Sequence, residues 1–334
     1  MAATQPSVWP ISLEDVAAAR TRIAPFLTPT PVRRYPLLDA AVGLSLTVKH
    51  ENHQPTCSFK VRNGLSFMTG LSAEERRRGV VAASTGNHGQ GIAYGAALLG
   101  VGATICVPRG NNPEKNAAMR GWGATVVEEG ADYDESVLVM ERIAREEGRV
   151  LAHSTNHPRI IAGAGTMTHE LLEQIDADGE GKGIDALVLA VGGGSQAVGA
   201  MTVARELAPH LEVYGVQAAG APALHDSWHA RERRTTARAL TFADGVATRS
   251  TYDLTFPALV EGLSGFITVT DAEIAEGVRL VLATTHNLVE GAGAMGVVGA
   301  ARLRDRLEGK RVAVVFCGAN LDTAVLRRIL NREL

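Results

Sequence analysis

From Val80 onward the chain alternates short apolar runs with longer amphipathic stretches. VVAAS (80–84) leads into GNHGQGIAYGAALLG, ATICVP (103–108) into PEKNAAMRGW, ATVVEE (124–129) into DYDESVLVMERIAREE, and VLAHS (150–154) closes the series. The apolar runs are strand-sized and the stretches between them helix-sized, which predicts βαβ units and a parallel sheet. The alternation resumes with ALVLAV (186–191), a helix after GGGSQ, and the run LEVYGVQ (211–217). A less regular region from Ala221 to Phe266 follows, then a final strand RVAVVF (311–316) and a closing helix. Ser12 with Asp15, and Thr270 with Glu273, have the spacing of capping boxes and predict two helix starts. TPTP (28–31) is expected to stop the first of these helices, and LSLTVKHE (44–51) reads as extended. There is no internal repeat and no low-complexity segment.

Composition narrows the classes. Apolar residues make up 46% and charged ones 21%, ordinary for a globular enzyme. A net charge of −3 leaves no basic footprint for nucleic acid. The three cysteines, Cys57, Cys106 and Cys317, form no CxxC pair, so neither a disulfide framework nor a thiolate metal site is expected. The opening MAATQPSVWPISLEDV has no signal-peptide pattern and no apolar run reaches membrane length, so a cytoplasmic setting is expected.

Glycines are numerous, 36 in all, and they gather at the ends of the apolar runs. Ligands in open α/β sheets bind beyond the carboxyl ends of the strands, so the tips STGNHG, GGGSQ and CGAN are expected to converge on one cleft. Gly192 to Gln196 opens a helix, and its backbone N–H groups suit an anion. The spacing is neither that of a Walker loop nor of a dinucleotide fingerprint, whose acidic residue is replaced here by Gln217, so a phosphate monoester is the better guest. The alternative is a turn needed only for close helix packing. Ser84 to Gly91 gathers hydroxyls and amides into a nest that suits a carboxylate, and Asn87 offers an amide to a ring hydroxyl. His88 reads either as an acid–base group or, more simply, as a packing or capping residue. Cys317 reads alone as a buried structural thiol.

In CSFKVRNG (57–64), Lys60 sits between Phe59 and Val61. Burying an ammonium without a partner is costly or forces deprotonation, and a neutral lysine is a nucleophile; the bland alternative is a side chain that reaches solvent from a helix start. A lysine, a phosphate site, a carboxylate nest and an adjacent aromatic are together what a pyridoxal phosphate enzyme needs.

At this point the sequence resembles the fold type II pyridoxal phosphate enzymes, in particular the threonine and serine dehydratase and serine racemase group. SFKVRNG is similar to that family's SFK-(I/L/V)-RGA, STGNHGQG to SSGNHGQ, VGGGSQ to its tetraglycine loop, HNLVEGAGA to E-P-x-G-A and FCGANLD to SGGN-(V/L)-D. The likeness runs over nearly the whole chain. It implies an α/β, tryptophan synthase β-like fold of mainly parallel twisted sheets flanked by helices. Residues 1–54 and 155–334 would form a large cofactor-binding domain and 55–154 a small one, with Lys60 in the cleft between them; a homodimer is implied as well. Lys60 would carry pyridoxal 5'-phosphate and act on the Cα proton, Phe59 would pack on the cofactor ring, and Asn87 would bond its phenolic oxygen. Gly192, Gly193, Gly194 and Ser195 would hold the phosphate. Ser84, Thr85, Gly86, Asn87 and His88 would surround the substrate carboxylate, with Thr85 the second catalytic group. Glu290 would lie near the ring and Cys317 would face the pyridine nitrogen.

The implied reaction is loss of water from a β-hydroxy amino acid of threonine or serine type, giving a 2-oxo acid and ammonia. Threo-3-hydroxyaspartate, phenylserine and a hydroxyectoine-degradation intermediate are alternative substrates; racemisation and β-replacement are alternative reactions. Four departures from the family pattern qualify this. Ser195 stands for the last loop glycine, where its hydroxyl adds a phosphate donor. Cys57 stands for a glycine and is expected to crowd its position. Cys317 stands for a serine, and as a neutral thiol it leaves the pyridine nitrogen unprotonated. Gln217, Ala221 and Ala223 stand where some relatives hold a divalent cation, so no metal is expected there. The chain ends one helix after CGAN, so feedback control through a C-terminal regulatory domain is not expected.

Overall fold

Ten strands among the described residues sort into two sheets. The structure, a computed structural model, describes residues 8–177 and 183–334; the first seven residues of the N-terminal stretch read above lie outside it. In chain order the strands are β1 (Val32–Arg33), β2 (Leu46–Lys49), β3 (Val80–Ala83), β4 (Ala103–Val107), β5 (Thr125–Glu128), β6 (Val150–Leu151), β7 (Ala186–Ala190), β8 (Glu212–Ala218), β9 (Gly265–Val269) and β10 (Val312–Val315). One sheet has the order β5-β4-β3-β6 and the other β1-β2-β10-β7-β8-β9. Every pairing is parallel except β1 with β2. Helices cover these parallel strands, so β3, β4 and β10 are buried at every position and read as unbroken apolar runs. The four-stranded sheet comes wholly from residues 80–151, whereas the six-stranded one draws on both ends of the chain.

Both expected capping boxes form: Ser12 with Asp15 opens helix Leu13–Ile23, and Thr270 with Glu273 opens helix Asp271–Thr285. The first helix ends before Pro25, ahead of the TPTP stretch. In the run VLAHS, Val150 and Leu151 pair with β3, and the Ala152 N–H still donates to the Val81 carbonyl (2.9 Å).

Among the helices that periodicity does not indicate are Lys60–Thr69, Pro158–Ala177 and Gly291–Arg302. Their glycines look like loop residues but serve close packing. A Cβ on Gly64 would stand 2.2 Å from the Gly91 carbonyl oxygen, and one on Gly163 would stand 2.5 Å from that of Arg62. Helix Lys60–Thr69 is thereby clamped between helix Asn87–Leu99 and helix Pro158–Ala177, which fixes where Lys60 begins.

Candidate active site

The three polar strand tips meet. After β3, Ser84 Oγ accepts from the backbone N–H groups of Gly86 (3.1 Å) and Gly89 (2.9 Å), tying the turn to the first coil of helix Asn87–Leu99. The N–H groups of Asn87 and His88, at the start of that helix, have no intrahelical acceptor. After β7, Gly192 to Gly194 turn into helix Ser195–Leu207. Gly194 has φ +96°, and a Cβ on Gly193 would stand 2.4 Å from Thr155 Oγ1. Only glycine fits there, and the loop is left presenting backbone to the cavity. After β10, Cys317 and Gly318 are stitched to the lysine segment: Ser58 pairs with Gly318, Phe59 N–H donates to the Cys317 carbonyl (3.0 Å), and Ala319 N–H donates to that of Cys57 (2.8 Å).

These tips line one cavity of about 670 Å³. Phe59, Lys60, Ser84, Thr85, Gly86, Asn87, His88, Gly192, Gly193, Gly194, Ser195, Glu290 and Cys317 all border it. Lys60 Nζ donates to a single acceptor, the Ser154 carbonyl, at 3.1 Å. Burial pulls its pKa down to about 8, against a weaker upward pull from Glu290. Burial pushes Glu290 up to about 7, although Lys115 and the Asn87 amide favour its charged form. Burial, then Glu290, also raises the Cys317 thiol well above the usual range, so it is neutral.

Asn87 is held at both ends. Its Nδ2 donates to Glu290 Oε1 (2.7 Å), and its Oδ1 accepts from Asn320 Nδ2 (2.7 Å), which also reaches the Thr56 carbonyl. The second N–H of the Asn87 amide remains for a ligand. His88 behaves as its simpler reading expects. Burial lowers it to about 3, its Nε2 bonds the Ala152 carbonyl at 2.8 Å, and Nδ1 has no partner among the described residues. A carbonyl only accepts, so the proton sits on Nε2, and what His88 presents to an anion is its backbone N–H.

Several lining residues were not singled out in the sequence. Ser154 holds Lys60, Tyr133 OH bonds Ser154 Oγ (3.1 Å), and Lys115 pairs with Asp244 (2.5 Å) and Asp322 (3.5 Å) at the cavity mouth. Ser154 ends the run VLAHS, so the strand-tip rule was the signal that could have found it. Tyr133 and Lys115 lie in helices of the neighbouring units and carried no such mark. At Cys57 the expected crowding is absent. Its side chain is exposed, and the special feature is a left-handed backbone, φ 53°, which explains a glycine at that place in the family pattern. At the stretch where some relatives hold a cation, the Gln217 amide is occupied by His225 N–H (2.8 Å) and Thr248 Oγ1 (3.4 Å).

An amine bonded only to a neutral carbonyl, an anion loop of glycines, a pinned amide and a neutral thiol fit pyridoxal phosphate without a clash of charge. Comparison with known proteins decides the family, because the family described as pyridoxal-phosphate dependent enzyme matches residues 23–318. The chain belongs to that family. Its cofactor is therefore pyridoxal phosphate, and its fold is that of the fold type II members. It is 35% identical to L-threonine ammonia-lyase of Thermotoga maritima, over 97% of this chain and 79% of that protein. It is 34% identical to L-threo-3-hydroxyaspartate ammonia-lyase of a Pseudomonas species, over 93% of this chain and 96% of that protein. Among solved structures, a threonine deaminase from T.th. superposes with a TM-score of 0.87 at 36% identity, covering 93% of this chain and 99% of the other.

Proposed function

We propose that the protein is a dehydrating ammonia-lyase that converts a β-hydroxy amino acid, threonine or serine in the first instance, into a 2-oxo acid and ammonia. The observation that carries this reading is Lys60, an amine with a pKa near 8 and no ion pair with a described residue, which lines the same cavity as the glycine loop and the carboxylate nest. Bound pyridoxal phosphate supplies an electron sink for the charge left when the Cα proton departs. The N–H groups of Gly192 to Ser195 would hold its phosphate, and Phe59 would pack against its ring. Asn87, pinned by Glu290 and Asn320, would offer its free N–H to the ring oxygen. Cys317, neutral, places no charge at the pyridine nitrogen. The N–H groups of Asn87 and His88, with the turn Ser84 to Gly86, bind the substrate carboxylate. Lys60, whose neutral form burial favours, takes the Cα proton, and the Thr85 hydroxyl serves the opposite face.

The division into a large unit (1–54 and 155–334) and a small one (55–154) belongs to this proposal and is supported by the two separate sheets. The resemblance supports a homodimer, and the scattered free thiols support a cytoplasmic setting. A second substrate class, 3-hydroxyaspartate, is favoured by one feature: Arg109 and Arg238 stand exposed on the cavity rim and form no ion pair with a described residue.

The test is to incubate the holoenzyme with threonine, serine, threo-3-hydroxyaspartate and phenylserine, measuring 2-oxo acid, ammonia and the enantiomers of unreacted substrate. Equal yields of 2-oxo acid and ammonia, lost at least about 10³-fold in Lys60→Ala, are expected. Racemised substrate without 2-oxo acid, or normal turnover in Lys60→Ala, would sink the reading.

A further inference from the structure

Ser195, one of the departures named above, touches a residue that was not counted among them. Asn63, where the pattern has a glycine, follows the clamped start of helix Lys60–Thr69 and is fully buried. A Cβ on Gly163 would stand 2.9 Å from Asn63 Cα, so helix Pro158–Ala177 presses on its backbone and leaves the side chain little freedom. That side chain meets the phosphate loop: Asn63 Nδ2 donates to Ser195 Oγ at 3.5 Å. Asn63 Oδ1, also buried, has no partner among the described residues.

Ser195 is the first residue of the loop that carries a side chain. Gly192, Gly193 and Gly194 are each blocked, since an added Cβ would stand 2.5 Å from the Gly245 oxygen, 2.4 Å from Thr155 Oγ1 and 2.7 Å from Leu259 Cδ1 respectively. Ser195 lines the cavity and is only 3% exposed, and its hydroxyl has no other partner among the described residues. A hydroxyl has one proton and two lone pairs. With an Asn63 N–H on one lone pair, the proton is left for an acceptor in the cavity, and a phosphate is the acceptor that the neighbouring loop N–H groups are arranged for.

We propose that Asn63 is a positioning residue that turns the Ser195 hydroxyl into a side-chain donor for the cofactor phosphate. The opposite amide orientation would put Oδ1 on Ser195, consume its proton and present only lone pairs to the anion. Asn63→Asp, equal in shape but able only to accept when ionised, imposes that arrangement. The proposal rests on reading Gly192 to Ser195 as the phosphate cradle, so the test contains a ligand without phosphate.

The experiment titrates cofactor-free enzyme with pyridoxal 5'-phosphate and with pyridoxal, for wild type, Ser195→Ala, Asn63→Ala, Asn63→Asp and the double variant Asn63→Ala/Ser195→Ala, with a melting curve for each. A hydrogen bond to a charged group predicts that Ser195→Ala weakens pyridoxal phosphate about 10-fold or more and leaves pyridoxal unchanged. Asn63→Ala should weaken it about 5-fold in the wild-type background and less than about 2-fold when Ser195 is already alanine. Asn63→Asp should be at least as weak as Ser195→Ala, and it stands in for Asn63→Ala if that variant does not fold. Equal losses in both backgrounds, equal losses for pyridoxal, or no loss at Asn63 would overturn the proposal. Wild-type enzyme that binds pyridoxal as tightly as its phosphate would instead overturn the cradle reading itself.

Discussion

Lys60 and Arg62 stand two residues apart in one helix, and their charges are treated in opposite ways. Arg62 donates through Nε and Nη2 to Glu51 (2.7 and 2.9 Å) and through Nη1 and Nη2 to Glu170 (3.0 and 2.8 Å). Lys49 adds a second cation, 2.5 Å from Glu170 and also held by the Thr30 carbonyl and Gln174. Burial opposes the Arg62 charge, but Glu51 and Glu170 outweigh it and raise its pKa. Lys60 has one neutral acceptor, and there burial prevails. Arg62 and Lys60 differ in pairing far more than in depth: two carboxylates overcome burial at Arg62, whereas burial still draws Lys49 down despite its bond to Glu170.

The locked side gives the largest effect. Glu170→Gln keeps the shape but leaves Lys49 and Arg62 facing Glu51 alone, a surplus buried charge. It should cost about 3–5 kcal/mol in urea unfolding of the cofactor-free enzyme. A loss under about 1 kcal/mol would mean that solvent already screens the quartet, and the contrast with Lys60 would fail.

Much of this contrast was legible in the sequence on one side only. Lys60 stood out because strand tips, glycine runs and an aromatic neighbour converge on a known chemistry, and the three tips do form one cavity. Arg62 stands in the same octapeptide, yet its partners Glu51 and Glu170 lie 11 and 108 residues away. No local pattern marks such pairs. Helix Pro158–Ala177, which supplies Glu170, was hidden because its glycines resemble loop residues until the neighbouring helix is in place. Cys57 was misread for a related reason, since a left-handed backbone is a matter of turn geometry that a comparison of side-chain sizes does not reveal.

Glu290 sharpens the comparison from the acidic side, as a buried carboxylate facing the cavity without a cation in contact. Its folded pKa, about 7, lies above its ordinary 4.5, so the fold favours the protonated form. The stability it contributes is complete below pH 4.5 and is lost as pH rises through 7. Glu290→Gln should therefore leave the cofactor-free enzyme unchanged near pH 4.5 and stabilise it by about 3 kcal/mol above pH 7. Melting curves across that range check it, and a gain independent of pH would show that charge is not what burial penalises here.

The smallest effect separates burial from backbone strain as the cause of Lys60's behaviour. Cys57, three residues upstream, holds φ 53° with an exposed side chain, a conformation costing a non-glycine residue about 1–2 kcal/mol. Cys57→Gly removes that cost but frees the unfolded chain, so a net gain of about 1 kcal/mol is expected, with none for Cys57→Ala. Cofactor uptake by the free enzyme requires neutral Lys60, so its rate should rise with pH around a midpoint near 8 in wild type. If desolvation alone sets that midpoint, Cys57→Gly leaves it in place while the melting temperature rises. A midpoint that moves towards that of an ordinary lysine would show that the strained turn holds the amine in its cavity, and then pairing would no longer be the sole difference between Lys60 and Arg62.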